Sequence, residues 1–228
     1  MSIILNIDTT LNFAYVSIAK NGITLQDIYN SEQKEHASFL VPAIQSLTRG
    51  QGIHFNELDS IAVTTGPGSY TGIRVGLATA KGLCYTLNKP LICINTLDAI
   101  ANLAIHQQLK VDSPDPLTLV CPMIDARRME VFSALYHFDF TRKSDPKALI
   151  LAPDSFDDIF LTNKIIFIGN GADKWKQICT NKSAIFSNIE FNSMYMSALS
   201  YKEFSNNNFE SVTYSRGFYL KEFHNTRL

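Results

Sequence analysis

The stretch Gly66-Pro67-Gly68-Ser69-Tyr70-Thr71-Gly72-Ile73-Arg74-Val75-Gly76 constrains this chain more than any other. Ile61-Ala62-Val63 before it reads as a buried strand, and the residues after it as a helix. Gly66 and Gly68 open backbone angles that a side chain would forbid, and Pro67 stiffens the turn between them. Ser69 or Thr71 can cap the helix. Gly72, Gly76 and Ala80 recur every four residues and share one helical face. Glycine inside a helix costs roughly 1 kcal/mol relative to alanine, so two on one stripe point to the close approach of another backbone. A strand, a glycine turn and a helix N-terminus make a generic anion site. The small stripe suits a second helix lying nearly in contact. A tight turn with ordinary packing on the protein's own sheet is the plain alternative. No Gly-Lys-Ser/Thr ending follows the turn, which excludes a P-loop, and Gly72 follows Gly68 by four, which breaks the dinucleotide-binding spacing.

With 228 residues, 46% hydrophobic and 18% charged, the chain can form one large domain or two small ones with proper cores. Its net charge of −1 offers no basic excess of the kind that independent nucleic-acid binding calls for. Cys84, Cys93, Cys121 and Cys179 are scattered without a Cys-x-x-Cys pair, which argues against a zinc ribbon and a disulfide framework and for reduced thiols in a cytoplasmic protein. Met1 leads directly into a strand, so a signal peptide is not expected. No apolar run reaches membrane-spanning length.

Ile3 to Ile7 is an apolar run ending at Asp8-Thr9-Thr10; Phe13 to Ala19 and Ile23 to Tyr29 are further strands. Asn21-Gly22 between the latter two signals a hairpin. A helix over about 36–48 follows, then the Ile61 strand, a helix over 71–87, a strand over 90–94 and a helix over 96–107. Asp112-Ser113-Pro114-Asp115-Pro116 punctuates the chain, and the boundary is placed between a first domain at 1–108 and a second at 109–228. Leu117 to Ile124 and Val131 to Phe138 repeat the opening pattern, and Ile165 to Ile168 is a strand ending at Gly169-Asn170-Gly171. Beyond Asn192 the pattern is mainly helical up to about Glu203, and the aromatics of Phe218 to Phe223 can dock back on the body, although the sequence sets no conformation for them. This order predicts an α/β protein of two ribonuclease-H-like domains, each a mixed sheet covered by helices, in a duplicated actin-like arrangement with an eroded second copy.

Leu5-Asn6-Ile7-Asp8-Thr9-Thr10 together with the Gly66 to Arg74 stretch resembles the bacterial TsaB (YeaZ) family, and Ile124-Asp125-Ala126-Arg127 followed by Glu130-Val131 resembles its second half. The resemblance is specific through about residue 98 and moderate over 119–136. It implies a non-catalytic relative of TsaD that acts in forming threonylcarbamoyladenosine beside the tRNA anticodon. In that system TsaD transfers the group, TsaE supplies an ATPase and TsaB is the required partner of TsaD.

The residues themselves bear on catalysis. Asp8 stands where actin-like enzymes place a metal-positioning carboxylate; the plain reading is an Asp that closes a strand and bonds the amides of Thr10 and Leu11. Asp8, Thr9, Thr10, Gly66 and Gly68 are the candidate remnant of a nucleotide site. The matching turn in the second half, Asp125-Ala126-Arg127-Arg128-Met129-Glu130, has no glycine, so its backbone cannot close on phosphates. His36 is followed by Leu40 where a His-x-x-x-His metal pair needs histidine, and His106, His137 and His224 have no ligand spacing. No intrinsic cofactor, metal or catalytic residue is assigned; ATP or ADP with magnesium is expected only at the interface of the complex.

The partner surface is read from two helices. Ala37, Leu40, Val41, Ile44 and Leu47 are assigned to the sheet, with Phe39 and Ala43 on a second apolar face and Pro42 in the early turns. His36, Phe39, Leu40, Ala43, Tyr70, Gly72, Gly76 and Ala80 are the candidate contacts of a four-helix interface with a related subunit. TsaD is the expected direct partner, TsaE and tRNA join through the complex, and a weak homodimer forms when TsaD is missing. The competing functions are a stand-alone degenerate actin-like ATPase or kinase, and a peptidase.

Overall fold

The computed structural model describes residues 1–32, 35–108, 115–188 and 194–221. They group into two compact units, the first made of Met1–Thr96 and Asn192–Tyr219, the second of Leu97–Phe191 and Leu220–Leu228. The division therefore differs from a single cut near residue 108. The C-terminal segment belongs to the first unit as far as Tyr219, and the helix after Thr96 belongs to the second. Asn192, Phe223 and the Asp112-Ser113-Pro114 punctuation lie outside the described residues.

In the first unit β1 (Ile3–Asp8), β2 (Ala14–Lys20), β3 (Ile23–Asn30), β4 (Ser60–Gly66) and β5 (Leu91–Asn95) form a sheet in the order β3-β2-β1-β4-β5. β1 pairs antiparallel with β2 and parallel with β4, and β4 pairs parallel with β5. β4 is buried at all seven positions, as its unbroken apolar and threonine run requires of a strand covered on both faces. The β2–β3 turn is the expected Asn21-Gly22 pair, both at positive φ (50° and 81°). α1 (His36–Gly50), α2 (Tyr70–Leu87) and α6 (Met194–Ser205) complete the unit. Leu40, Ile44 and Leu47 of α1 and Leu77, Ala80 and Cys84 of α2 join Leu5, Ile7, Val16, Ile18, Ile61 and Val63 in one core.

The second unit repeats that design. β6 (Thr118–Asp125), β7 (Glu130–Tyr136), β8 (Arg142–Ile150), β9 (Lys164–Ile168) and β10 (Ala184–Phe186) are arranged β8-β7-β6-β9-β10, the same order with the same parallel and antiparallel pairings. Asp125 ends β6 as Asp8 ends β1. Its core is aromatic: Phe156, Phe167 and Trp175 meet at ring separations of 5.1 to 6.0 Å. α3 (Thr96–Gln108) is tied to this unit by Asp98, which accepts the Tyr136 hydroxyl at 2.7 Å and the Arg142 Nε at 2.9 Å. α4 (Asp157–Phe160) and α5 (Ala172–Ile178) are short.

Candidate functional site

Asp8, Thr9 and Thr10 leave β1 and meet the Gly66 turn and the start of α2, so the structure brings the five residues of the candidate nucleotide remnant together. Asp8 is fully buried. Its Oδ1 accepts the Thr10 amide at 2.7 Å, the Thr10 hydroxyl at 2.6 Å and the Thr64 hydroxyl at 2.5 Å. Its Oδ2 accepts the hydroxyl of Tyr195, which α6 delivers from the far end of the sequence. Burial and the Asp8 charge push the Tyr195 phenol well above its ordinary value and keep it a donor. Thr10 also receives the Thr96 hydroxyl at 3.1 Å. Of the two amides expected on Asp8, that of Thr10 bonds it, and that of Leu11 is not among its partners in the described residues; the hydroxyl cage, and Tyr195 above all, was not legible in the sequence.

The turn is closed from the same direction. The Phe218 amide donates to the Thr65 carbonyl at 2.7 Å, and a Cβ on Gly66 would stand 2.5 Å from the Phe218 carbonyl oxygen. Gly66 sits at φ 112°, which favours glycine. The Tyr219 ring lies 5.0 Å from that of Tyr70. Lys81 holds the strap through the carbonyls of Thr213 (3.1 Å) and Ser215 (3.2 Å), and Glu210 bonds Leu91 of β5. The C-terminal aromatics thus dock on the body over their described part. A nucleotide with magnesium does not fit here. The carboxylate is taken by hydroxyls of the chain, and the glycine turn faces a peptide carbonyl, which repels phosphate.

The stripe on α2 requires a correction. Gly72, Gly76 and Ala80 are buried within the first unit. A Cβ on Gly72 would overlap the Thr9 carbonyl oxygen, and one on Gly76 would lie 2.5 Å from the Thr9 hydroxyl and 3.5 Å from Val63. The Thr9 hydroxyl donates to the Gly72 carbonyl at 2.6 Å. The backbone that approaches closely is therefore the β1–β2 turn of the same chain, not a second subunit. His36, Leu40 and Ala43 of α1 are buried too, and Phe39 and Tyr70 are half-buried. Ala37 and Val41, assigned to the sheet, point outward instead, with Val41 52% exposed. α1 and α2 do lie against each other. The outward stripe of α2 is Thr71, Arg74, Ala78, Gly82 and Tyr85, the last 85% exposed. The helical spacing that could have found it was masked by a second set of small residues, Ala78 and Gly82, on that face.

His36 lies in the first turn of α1 with its Nε2 buried and without a partner among the described residues. Burial lowers its pKa, against the opposing pull of the Asp8 charge and a bond to the Thr9 backbone. Among the described residues no group of three His, Cys, Asp or Glu side chains could hold a metal ion. Burial pushes the thiols of Cys84 and Cys93 up to about 12, which leaves them poor nucleophiles. No helix among the described residues is long and apolar enough to cross a membrane.

Residues 24–205 match the family model of TsaD, described as tRNA N6-adenosine threonylcarbamoyltransferase. The tRNA threonylcarbamoyladenosine biosynthesis protein TsaB of Escherichia coli is 27% identical over 179 residues, covering 77% of this chain and 74% of that protein. This chain belongs to the TsaB (YeaZ) family. The TsaB of Bacillus subtilis is 30% identical over 59% of this chain, and the matched part spans only 55% of that relative. A Pseudomonas aeruginosa structure described as YeaZ superposes over 96% of the chain with a TM-score of 0.76 at 21% identity, and so shares its fold.

Proposed function

We propose that this TsaB-family chain is a non-catalytic subunit that binds TsaD and supports threonylcarbamoyl transfer to the adenosine beside the tRNA anticodon. The observation that carries the reading is the closed Asp8 cage. The carboxylate an actin-like enzyme would turn toward a metal is held by Thr10, Thr64 and Tyr195. The names of the TsaB relatives support the pathway, and the family model supports kinship with the transferase.

The contact with TsaD is proposed on the outward face of α1 and α2, through Val41, Arg74, Ala78 and Tyr85, with half-buried Phe39 and Tyr70 at its margin. Small residues at 78 and 82 let a partner helix come near, and Tyr85 offers an anchor. The same face supports a weak homodimer when TsaD is missing, and TsaE and tRNA join through the complex. ATP or ADP with magnesium belongs at the junction with TsaD, and the protein works in the cytoplasm.

Reconstitution tests the proposal. Purified TsaD, TsaE, threonylcarbamoyl-AMP and tRNA are assayed with and without this chain. Modified adenosine should form only with it, and the chain alone should turn over neither ATP nor peptide. Equal product in its absence would refute the proposal, and ATP hydrolysis by the chain alone, lost in Asp8→Ala, would favour the ATPase reading.

A further inference from the structure

The turn between β6 and β7 spends backbone energy on two side chains that the fold does not use. Arg127 and Arg128 stand side by side at φ 68° and 52°. L side chains rarely adopt this region, and the hairpin at Asn21-Gly22 shows what the chain uses when only a turn is needed. Strained backbone of this kind persists where the surroundings over-determine it. Here they do. Asp125 Oδ1 accepts the Arg127 amide at 2.5 Å and the Lys174 ammonium at 2.6 Å. Lys174 also bonds the Arg128 carbonyl and reaches the Glu130 carbonyl at 3.4 Å. The Asp125 amide is held by Asn170 at 2.9 Å. Lys174 is thus a pin inside the turn, with its side chain only 19% exposed.

Both arginines are exposed, and neither guanidinium has an acceptor among the described residues. The acidic groups beside them are taken: Asp125 by Lys174 and Glu130 by Lys221. A rigid turn with its own carboxylates neutralised and two free planar cations on adjacent residues is built to meet an anion with paired oxygens, and guanidinium matches phosphate in that way. We propose that Arg127 and Arg128 form a two-cation contact for the phosphodiester backbone of RNA, a contact on tRNA made by this subunit itself. The inference rests on the proposed role in tRNA modification for its choice of polyanion. It is small enough to agree with a net charge of −1.

The test is fluorescence anisotropy of labelled, unmodified tRNA with the full chain at 20 to 200 mM salt, with ATP as a separate ligand. In Arg127→Gln/Arg128→Gln the affinity at low salt should fall about 5- to 30-fold, and the log–log salt slope should shrink by about one to two. Arg127→Asn/Arg128→Gly should lose the same binding with an equal or higher melting temperature, because those residues accept positive φ. Unchanged tRNA affinity and slope in both variants would overturn the proposal. So would absent tRNA binding by the wild type at 20 mM salt, a loss confined to ATP, or a loss confined to capture of TsaD. Failure of reconstitution with arginine-dependent tRNA binding intact would remove the proposed function and leave this contact standing.

Discussion

The hydroxyl of Tyr195 bonds Oδ2 of Asp8 across 187 positions of sequence, and both groups are buried. The pair ties α6 to the end of β1 inside the first unit. Tyr195→Phe should therefore cost stability, about 1–3 kcal/mol, because a buried carboxylate loses a donor. Urea unfolding at pH 7 measures it. The pH effect has a definite sign. The folded phenol stays protonated well above its ordinary 10.0. Its stabilisation is therefore present below pH 10 and lost as pH rises beyond it toward the folded value, and Tyr195→Phe should remove that part of the alkaline slope.

His36 gives the opposite arm. Burial lowers its pKa from 6.5, so the unfolded chain binds a proton first as the solution is acidified. The stabilisation of neutral His36 is complete above pH 6.5 and lost as pH falls through the folded value. Melting temperatures from pH 7.5 to 5 should decline, and His36→Gln should flatten the part of the slope that begins near 6.5.

Gly72 and Gly82 lie on one helix and should respond in opposite ways. Gly72→Ala forces a methyl group into the Thr9 carbonyl and should cost about 2–3 kcal/mol. A Cβ on Gly82 meets nothing within 4 Å, so Gly82→Ala should gain roughly 0.5–1 kcal/mol from helix propensity. Thermal or urea unfolding separates the two.

Ala78→Arg and Tyr85→Glu probe the proposed contact with TsaD without touching the core. Each should leave the melting temperature within about 1 °C, since surface changes are nearly neutral. Each should weaken TsaD binding about 10- to 100-fold by calorimetry, as expected for a group at the centre of an interface. Gly76→Leu cannot serve this purpose, because its side chain would collide with Thr9 before reaching any partner.

Much of the first unit was readable in advance. The β1 run, the Asn21-Gly22 turn, β4 with its glycine turn and the long α2 all follow from periodicity and turn chemistry. β8 escaped because an edge strand needs no apolar face; its lysines, aspartate and proline are the usual guard against edge pairing. α5 is seven residues long, too short for a period to show, although Trp175 anchors the second core. The direction of the glycine stripe was the main misreading. Close approach of a backbone was the right deduction, yet Gly72 cannot tell a turn of its own chain from a foreign helix. Tyr195 was beyond reach, because its only signal is a pairing with a residue at the opposite end of the sequence.

Because α6 and the segment that crosses Gly66 complete the first unit, its sheet is made on the ribosome long before its last partners are. A nascent chain carrying residues 1–96 has the sheet but still awaits Tyr195 for Asp8 and Phe218 for Thr65. Residues 97–191 are synthesised before those partners emerge. Vectorial synthesis thus leaves a buried-charge site open through most of translation, and a nascent-chain protease assay should find the β1–β2 turn protected only after the strap has left the exit tunnel.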